Sequence, residues 1–414
     1  MLVLPFVALL LCIAVAPLIN KTWWEHKYPF VSIGLAILVG AYYLFVVGST
    51  DRMGHALQDY AAFIIFPIAL FSISGGIYVS LSNHSTPVRN LLLLIAGALL
   101  TNFFGTTGTS LLLIRPYLRT NKYRLHPLHI VFFIFIVSNA GGALTAIGEA
   151  PLFMGYIKGV PFFWSVEKLW LPWLMVNGIL LLLFYIFDTR NYASIKKSMQ
   201  ADAETHHEKL TIAGLHNLAF LAITIAALFI DSPRFLREAI WLAAAAGSYF
   251  STKKEIHTKN QFNFIPMKEV AIIFFGIFIT MAPALEWLET NATTMNLQTP
   301  GHYFWVTGVI SSFLDNAPTY LSFLAAAMGS FGLHINDPAN VATLVQQHPQ
   351  YIIAISLGAV FFGAMTYIGN APNFFVKSIA EHNDAPLPNF GKYIAYYAVP
   401  ILLPIFALVW WLFV

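Results

Sequence analysis

The chain is organised around eleven apolar segments that are separated by short polar connections. A helix needs about 20 apolar residues to cross the hydrocarbon core of a bilayer, and most of these segments approach that length. They cover residues 2–19, 29–48, 60–81, 88–100, 128–157, 171–187, 212–230, 235–250, 269–286, 351–380 and 392–414. The pattern predicts an all-α polytopic membrane protein with about eleven transmembrane helices.

The composition excludes several other classes of protein. Of the 414 residues, 58% are apolar and 10% are charged, against roughly 25% charged in soluble domains. The net charge is +3 and the basic residues are scattered over short loops, so no nucleic-acid partner is expected. Cys12 is the only cysteine, which excludes a disulfide within the chain. The first apolar run has no basic residue before Lys21, so we interpret it as a transmembrane helix and not as a signal peptide.

Two segments, 101–118 and 301–329, combine a polar Gly/Thr or Asn/Pro centre with apolar arms. Such a segment cannot cross lipid as irregular backbone, because its amide groups would be left unpaired there. We therefore expect two re-entrant hairpins that are packed inside the protein. The long segments 128–157 and 351–380 contain Gly, Asn and Pro and are predicted to be broken helices.

The two halves of the chain contain an internal repeat. Residues 145–153 read TAIGEAPLF and residues 366–374 read TYIGNAPNF, with six of nine positions identical at an offset of 221. Residues 101–111 also align with 311–321 at an offset of 210. The division that follows is an N-terminal half 1–187, a cytoplasmic linker 188–211 and a C-terminal half 212–414, each half with one hairpin and one broken helix.

The basic residues give an expected orientation. With a cytoplasmic N-terminus and two hairpins that do not cross, the cytoplasmic loops contain 14 Lys and Arg residues and the outer loops contain 7, as the positive-inside rule requires. The two hairpins then open on opposite sides, which implies an inverted-topology repeat. In transporters of that type the substrate site lies near the membrane midplane, at the broken helices.

Only two acidic residues, Glu149 and Asp315, fall in the repeated motifs at mid-membrane depth, where an ionisable side chain is a functional candidate. Hard cations such as Na⁺ bind hydroxyl, amide and carboxylate oxygens. Glycine at the breaks also allows close approach of the backbone. The predicted ion or substrate ligands are Thr106, Thr107, Thr109, Asn139, Thr145, Glu149, Asp315, Asn316, Thr319, Thr366, Asn370 and Asn373.

These ligands leave cation antiport and anion symport open. A buried carboxylate can bind either H⁺ or Na⁺, and competition at Glu149 and Asp315 would couple the two ions, which favours antiport. Helix N-termini in the same region would suit an anion. A polycarboxylate, however, would meet two acidic side chains and no mid-membrane Lys or Arg, which makes a poor site unless Na⁺ is bound as well. An ion channel is a further alternative, although broken helices in an inverted repeat favour a carrier.

The motifs TNFFGTTGTSLLLIRP at 101–116, SNAGGALTAIGEAPLF at 138–153 and SSFLDNAPTYL at 311–321 resemble the NhaD-type sodium/proton antiporters. These belong to the ion transporter superfamily, together with arsenite permeases and citrate and dicarboxylate carriers. The resemblance covers residues 60–414. It implies eleven spans with inverted repeats, a homodimer, and scaffold and transport parts that move as an elevator. It also implies Na⁺ ligands at Asn139, Glu149, Asp315, Asn316 and Asn370. Where the antiporters often have Gly-Asp, this chain has Gly148-Glu149 followed by Ala-Pro, which is closer to members named citrate transporters.

We therefore predict a secondary active Na⁺(Li⁺)/H⁺ antiporter, with Glu149 and Asp315 as the proton-coupling residues. The alternatives are a Na⁺- or H⁺-coupled citrate or dicarboxylate symporter and then an arsenite or oxyanion exporter. No HExxH, CxxC or P-loop motif occurs, so an enzyme is not expected. The expected partners are small ions, membrane lipid and a second copy of the chain. No cofactor is expected, and Na⁺ is the transported or coupling ion. The expected location is a bacterial-type inner membrane, with the N-terminus cytoplasmic and the C-terminus outside.

Overall fold

The structure is a computed structural model that describes residues 3–80, 85–194, 211–230, 232–233 and 235–414. In these residues the chain is almost entirely helical, as predicted for a polytopic all-α membrane protein. The helices are α1 (Leu4–Ile19), α2 (Lys21–Tyr42), α3 (Thr50–Gly75), α4 (Pro87–Thr120), α5 (Pro127–Ile136), α6 (Ala150–Lys158), α7 (Trp164–Ser194), α8 (Asn217–Ala227), α9 (Leu236–Ser251), α10 (Lys254–Lys259), α11 (Ile265–Asn291), α12 (Pro300–Ser311), α13 (Asn316–Ser330), α14 (Pro338–Gln347), α15 (Pro349–Phe362), α16 (Ala371–His382), α17 (Phe390–Lys392) and α18 (Val399–Phe413).

Two short strands, β1 (Tyr78–Ser80) and β2 (Thr211–Ala213), pair antiparallel at one end of the helix bundle. We call this end the sheet face and the opposite end the far face. Next to the strands, Asn217 Nδ2 donates hydrogen bonds to Gly76 O and Thr252 Oγ1, which holds the end of α3, the start of α8 and the end of α9 together. At the far face, Arg52 pairs with Glu286, which joins the start of α3 to the end of α11.

By length and composition alone, seven helices in the described residues could cross a membrane, α4 among them, and the bent pair α14–α15 would make an eighth. The remaining crossings are shorter or broken. The helices α5 and α6 are separated by a 3₁₀ turn at Ala140–Leu144, and α15 and α16 by one at Gly363–Met365. Both broken helices therefore lie where the sequence predicted them.

Helix α4 is a hairpin and not a straight helix. Gly105 has φ 70° and ψ 161°, a left-handed conformation that glycine adopts without strain, and the chain reverses there between arms 87–104 and 106–120. The two ends of α4 meet, since Asn90 Nδ2 donates to Asn121 Oδ1 at 2.7 Å and Asn121 Nδ2 donates to Asn90 Oδ1 at 3.0 Å.

A buried ion pair fixes this open end to α7. Arg124 donates from both terminal guanidinium nitrogens to the carboxylate of Asp188, and His129 Nε2 also lies 2.9 Å from Asp188 Oδ1. All three side chains are buried, so the charges satisfy one another and not water, as buried charges must. The predicted linker 188–211 starts inside this network: residues 188–194 continue α7, residue 211 starts β2, and residues 195–210 lie outside the described residues.

The second hairpin is formed by α12 and α13 and closely matches the predicted segment 301–329. Its open end lies at the far face, where Ile335 N donates to Glu289 Oε1 at 2.7 Å at the end of α11. The two hairpins therefore open at opposite faces, as the inverted repeat requires.

The segment 88–100 is not a separate span, in contrast to the sequence interpretation. It is the first arm of the first hairpin, because the Asn90–Asn121 contacts return the chain to the face from which it entered. An apolar segment can be either a hairpin arm or a membrane-crossing helix, so the hydropathy of residues 88–100 did not distinguish these two structures. In the described part of the chain, ten segments run between the two faces.

The opposite openings predict opposite chemical accessibility. Cys12 is first replaced by Ser, so that each variant contains one cysteine. Lys122→Cys then places a cysteine beside the open end of the first hairpin, and His334→Cys places one beside the open end of the second. Both positions are exposed. A membrane-impermeant maleimide should label the two variants from opposite sides of sealed vesicles. Labelling of both from the same side would contradict the arrangement of the hairpins.

Candidate functional site

The two halves form the same local structure where each hairpin meets its broken helix. Thr145 Oγ1 donates to Asn102 O at 3.0 Å, and in the second half Thr366 Oγ1 donates to Ser312 O. The same two hydroxyls accept from Gly148 N at 3.1 Å and from Gly369 N at 3.0 Å. The paired residues are 210 or 221 positions apart, so the sequence repeat is a repeat of hydrogen bonds.

Glycine is required at the breaks because backbone approaches backbone there. A Cβ atom on Gly148 would lie 2.1 Å from Gly142 O, and one on Gly369 would lie 2.8 Å from Gly363 O. Real Cβ atoms do not come so close to an oxygen, so a side chain at either position would force the break apart.

The Glu149 carboxylate joins four structural elements. Its Oε2 accepts from Thr106 Oγ1 at the tip of the first hairpin. Its Oε1 accepts from Asn316 Nδ2 at the tip of the second hairpin, at 2.8 Å, and from Asn370 Nδ2 in the second broken helix. Glu149 itself precedes α6 and is 2% exposed. The two hairpin tips and both breaks thus meet at one buried carboxylate.

A second row of amide side chains lies behind this carboxylate. Asn139 Nδ2 donates to Asn373 Oδ1 at 2.7 Å, and Asn139 Oδ1 accepts from Asn370 Nδ2 at 3.1 Å. Asn373 Nδ2 donates in turn to Gly363 O and Thr366 O. The amide groups of Asn139 and Asn373 are therefore used to hold the two breaks together.

Asp315 is the second acidic side chain of the site and has fewer partners. It caps α13, where its Oδ1 accepts from Ala317 N at 3.2 Å, and its backbone oxygen accepts from Thr319 Oγ1 at 2.9 Å. No other hydrogen bond to the Asp315 carboxylate is found within the described residues. Its carboxylate is therefore better placed than that of Glu149 to take a further ligand.

A cavity of about 90 Å³ contains this chemistry. Six of the predicted ligands line it: Thr106, Thr107, Glu149, Asp315, Asn316 and Asn370. The other six do not line it: Asn139, Thr145, Thr366 and Asn373 form the supporting layer, and Thr109 and Thr319 lie further along the hairpin arms. Of the five predicted Na⁺ ligands, Asn139 is thus the one outside the cavity wall.

One buried oxygen at the cavity has no partner. Asn316 Nδ2 donates to Glu149, which assigns the amide orientation and leaves Asn316 Oδ1 without a hydrogen bond among the described residues. A buried acceptor without a donor is costly, and an amide oxygen beside two carboxylates is a ligand that Na⁺ would satisfy. This is the observation in the site that fits a cation directly, and the Na⁺ site itself stays a prediction.

Four helices begin at the cavity. They are the second arm of α4, α6, α13 and α16, whose first residues Thr106, Ala150, Asn316 and Ala371 all line it. Each N-terminus carries a partial positive charge of about +0.5, although some amide donors are already engaged: Thr106 N donates to Gly148 O, and Ala317 N to Asp315 Oδ1. The site therefore combines acidic oxygens, which attract cations, with helix ends, which attract anions.

The sequence analysis missed the opposite wall of the cavity. This wall comes from α3 and α11, including Phe66, Leu70 and Phe274, which belong to neither hairpin nor broken helix. In the sequence these residues are ordinary apolar positions of spans, so no local signal distinguishes them. A second cavity of about 330 Å³ adjoins the first at Phe375 and lies beside the end of α3 at the sheet face.

Comparison with known proteins identifies a family. The whole chain, residues 1–414, matches the family described as "Putative citrate transport". No curated protein matches the chain. The match covers both repeats, so the fold and site described above lie within it; the NhaD-type resemblance stays a prediction.

The packing at the break predicts the effect of one added methyl group. Gly148→Ala should abolish transport and lower the melting temperature, because the new Cβ would meet Gly142 O and overpacking costs about 1–3 kcal/mol. The matched control is Gly178→Ala in α7, where a Cβ meets no atom within 4 Å. Thermal unfolding and flux should separate the two variants, and wild-type behaviour of Gly148→Ala would contradict the packing argument.

Proposed function

The chain belongs to this citrate transport family, and we propose that it is a secondary active transporter that moves a citrate-class carboxylate together with a coupling cation. This was the alternative in the sequence analysis, and the family and the helix ends at the site support it over antiport. The observation that carries it is the meeting of four helix N-termini and two acidic side chains at one cavity. A cation antiporter needs only the acidic oxygens, whereas a carboxylate symporter also needs hydrogen-bond donors that bind the anion.

The charges of the site couple the two ligands. Four helix ends contribute roughly +2 in total, which balances the carboxylates of Glu149 and Asp315 when both are ionised. A polycarboxylate alone would add two or three uncompensated negative charges, and no Lys or Arg lines the cavity in the described residues. Each bound cation removes part of this repulsion, so the carboxylate and the cation should bind together.

We assign different roles to the two acidic residues. The Glu149 carboxyl group contacts Thr106, Asn316 and Asn370 through hydrogen bonds, so both of its oxygens are used to hold the hairpin tips and the second break together. Asp315 has one backbone donor and faces the cavity. Asp315 is therefore the proposed ligand of the coupling cation, Na⁺ or H⁺, and Asn316 Oδ1 is a further ligand if that cation is Na⁺; Glu149 holds the hairpin tips around them.

Na⁺(Li⁺)/H⁺ antiport is the second candidate function, and the size of the cavity favours it. A water molecule needs about 15 Å³ of such volume, so 90 Å³ accommodates a cation with a few waters more readily than citrate with a cation. Symport therefore requires that the substrate also use the adjoining cavity or that the site widen during the cycle.

The placement of the site also supports an elevator-type cycle. The ligands belong to the hairpins and broken helices, whereas the opposite wall belongs to α3 and α11. Movement of the repeat elements along this wall would carry the site from one face to the other without unpairing the backbone groups at the breaks. A homodimer, in which α3 and α11 would belong to a fixed scaffold, remains part of this proposal.

The distribution of basic residues over the two faces supports a different orientation in the proposed bacterial-type inner membrane. Of the basic residues in the described part of the chain, 14 belong to segments near the sheet face and 4 to segments near the far face. The first group is Lys21, Lys27, Arg89, Arg115, Arg119, Lys122, Arg124, Arg190, Lys253, Lys254, Lys259, Lys268, Lys377 and Lys392, and the second is Arg52, Lys158, Lys168 and Arg237. The positive-inside rule then makes the sheet face cytoplasmic. With ten crossings both termini lie outside, so the N-terminus is reversed from the sequence expectation.

The proposed function predicts Na⁺- or H⁺-dependent uptake of labelled citrate into proteoliposomes. Glu149→Gln and Asp315→Asn should each reduce uptake by at least a hundredfold, because each removes a charge that the coupling cation or the hairpin contacts require. The matched control is Glu167→Gln, an exposed acidic residue at the start of α7 that pairs only at the surface.

Two outcomes would contradict this proposal. Full citrate uptake by both variants would remove the acidic residues from the mechanism. Na⁺-driven proton release without any uptake of citrate, dicarboxylate or other carboxylate would favour the antiport candidate instead.

A further inference from the structure

The cavity of about 330 Å³ at the sheet face has a largely apolar lining that includes one arginine, Arg115, and several polar side chains, His382 among them. Its lining includes Arg115 of α4 and the amide side chains of Asn260, Gln261, Asn263 and Asn383. The Asn260 amide donates to Gly75 O and Ile77 O, which leaves Arg115 as the main donor to a ligand. No Asp or Glu lines this cavity in the described residues. We call it the vestibule, because it shares Phe375 with the smaller cavity that contains Glu149 and Asp315.

Arg115 has no partner in the part of the chain that the structure describes. Its Nε is buried without a hydrogen bond, and no ion pair or side-chain hydrogen bond involves its guanidinium. Two other arginines have acidic partners: Arg124 pairs with Asp188, and Arg52 pairs with Glu286. A partly buried guanidinium without a counter-charge is costly, and a bound carboxylate would remove that cost.

Arg115 lies on the same hairpin arm as Thr106, which lines the inner cavity. It lies nine residues beyond Thr106 on the second arm of α4, which is roughly 14 Å along a helix. The vestibule is also the right size, since pockets for small organic ligands begin at about 300 Å³. The guanidinium presents a planar fork of donors that matches a carboxylate.

We propose that Arg115 and the surrounding amides form a second binding site, in which a carboxylate group of the substrate is held in the vestibule before it enters, or after it leaves, the cavity at Glu149. This inference rests on the proposed carboxylate transport. The vestibule supplies the cationic side chain that the inner cavity lacks. When the substrate moves into the inner cavity, its carboxylate leaves Arg115 and contacts the helix ends and the coupling cation instead. Arg115 thereby sets both affinity and charge selectivity at the sheet face.

The alternative is that Arg115 is an interfacial arginine whose head group extends to water at the membrane surface. An interfacial role requires only a long basic side chain and makes no demand on substrate affinity. The two readings therefore differ in the KM for the substrate at one face, which is measurable.

The test compares citrate uptake in membrane vesicles of both orientations, whose sidedness is established by labelling of Lys122→Cys. Arg115→Gln should raise the KM for citrate at the sheet face by roughly tenfold or more, the effect of losing hydrogen bonds to a charged group. The KM at the far face should change less than twofold. The matched control is Arg119→Gln, one helical turn away on the same arm, where the side chain is exposed and donates to Tyr78 Oη.

If Arg115→Gln does not reach the membrane, the conservative variant Arg115→Lys provides the same test. Arg115→Lys retains the charge but loses the planar fork, and we expect a several-fold rise in the KM at the sheet face. Unchanged KM values in the Gln variant, or in the Lys variant where only that one folds, would overturn the vestibule site. Equal rises at both faces would overturn it as well.

The wild-type protein in the same vesicles distinguishes the two proposals. If the wild type takes up citrate and the Arg115 variants match it, only the vestibule site is rejected. If the wild type takes up no carboxylate at all, the proposed function fails and the vestibule site fails with it.

Discussion

The hydrogen bonds to the Glu149 carboxylate are the interaction on which the rest of the structure depends. Three donors, Thr106, Asn316 and Asn370, come from three separate elements and meet at one buried side chain. Each element there has irregular backbone, which is tolerated at membrane depth only when it is enclosed by protein. One charge thus holds both hairpin tips and both breaks in register, and that register creates the cavity.

The same arrangement explains why the site suits two ligands of opposite sign. A helix that stops in mid-membrane exposes its amide ends, and four such ends around two carboxylates give nearly balanced charge. A near-neutral site binds a charged substrate poorly unless a counter-ion accompanies it. In the proposed symport, coupling would follow directly from this charge balance and would need no separate relay. The vestibule adds a cationic group, Arg115, at the face where the inner cavity is approached.

The sequence predicted the features that leave local signals. The matching motifs at 145–153 and 366–374 located the breaks, and polar hairpin centres located the tips. The pairing of Asn90 with Asn121 could not be predicted, because an apolar arm has the same composition as a span, and the number of crossings is therefore smaller than expected. Asn139 was assigned as a cation ligand because it is polar and near the break, but its contact with Asn373 comes from the other half of the chain. The α3–α11 wall gave no signal at all.

The most direct test of joint binding is a thermal unfolding series on the purified protein with Na⁺, citrate, both or neither, against K⁺ at equal ionic strength. A ligand that binds only the folded state adds about 2.7 kcal/mol of stability at 100 times its Kd. The account predicts that citrate raises the melting temperature strongly with Na⁺ and little without it. Protons compete with Na⁺ for the carboxylates, so the Na⁺ dependence should be greater at high pH than at low pH. Stabilisation by Na⁺ or Li⁺ alone, unchanged by citrate, would contradict the account.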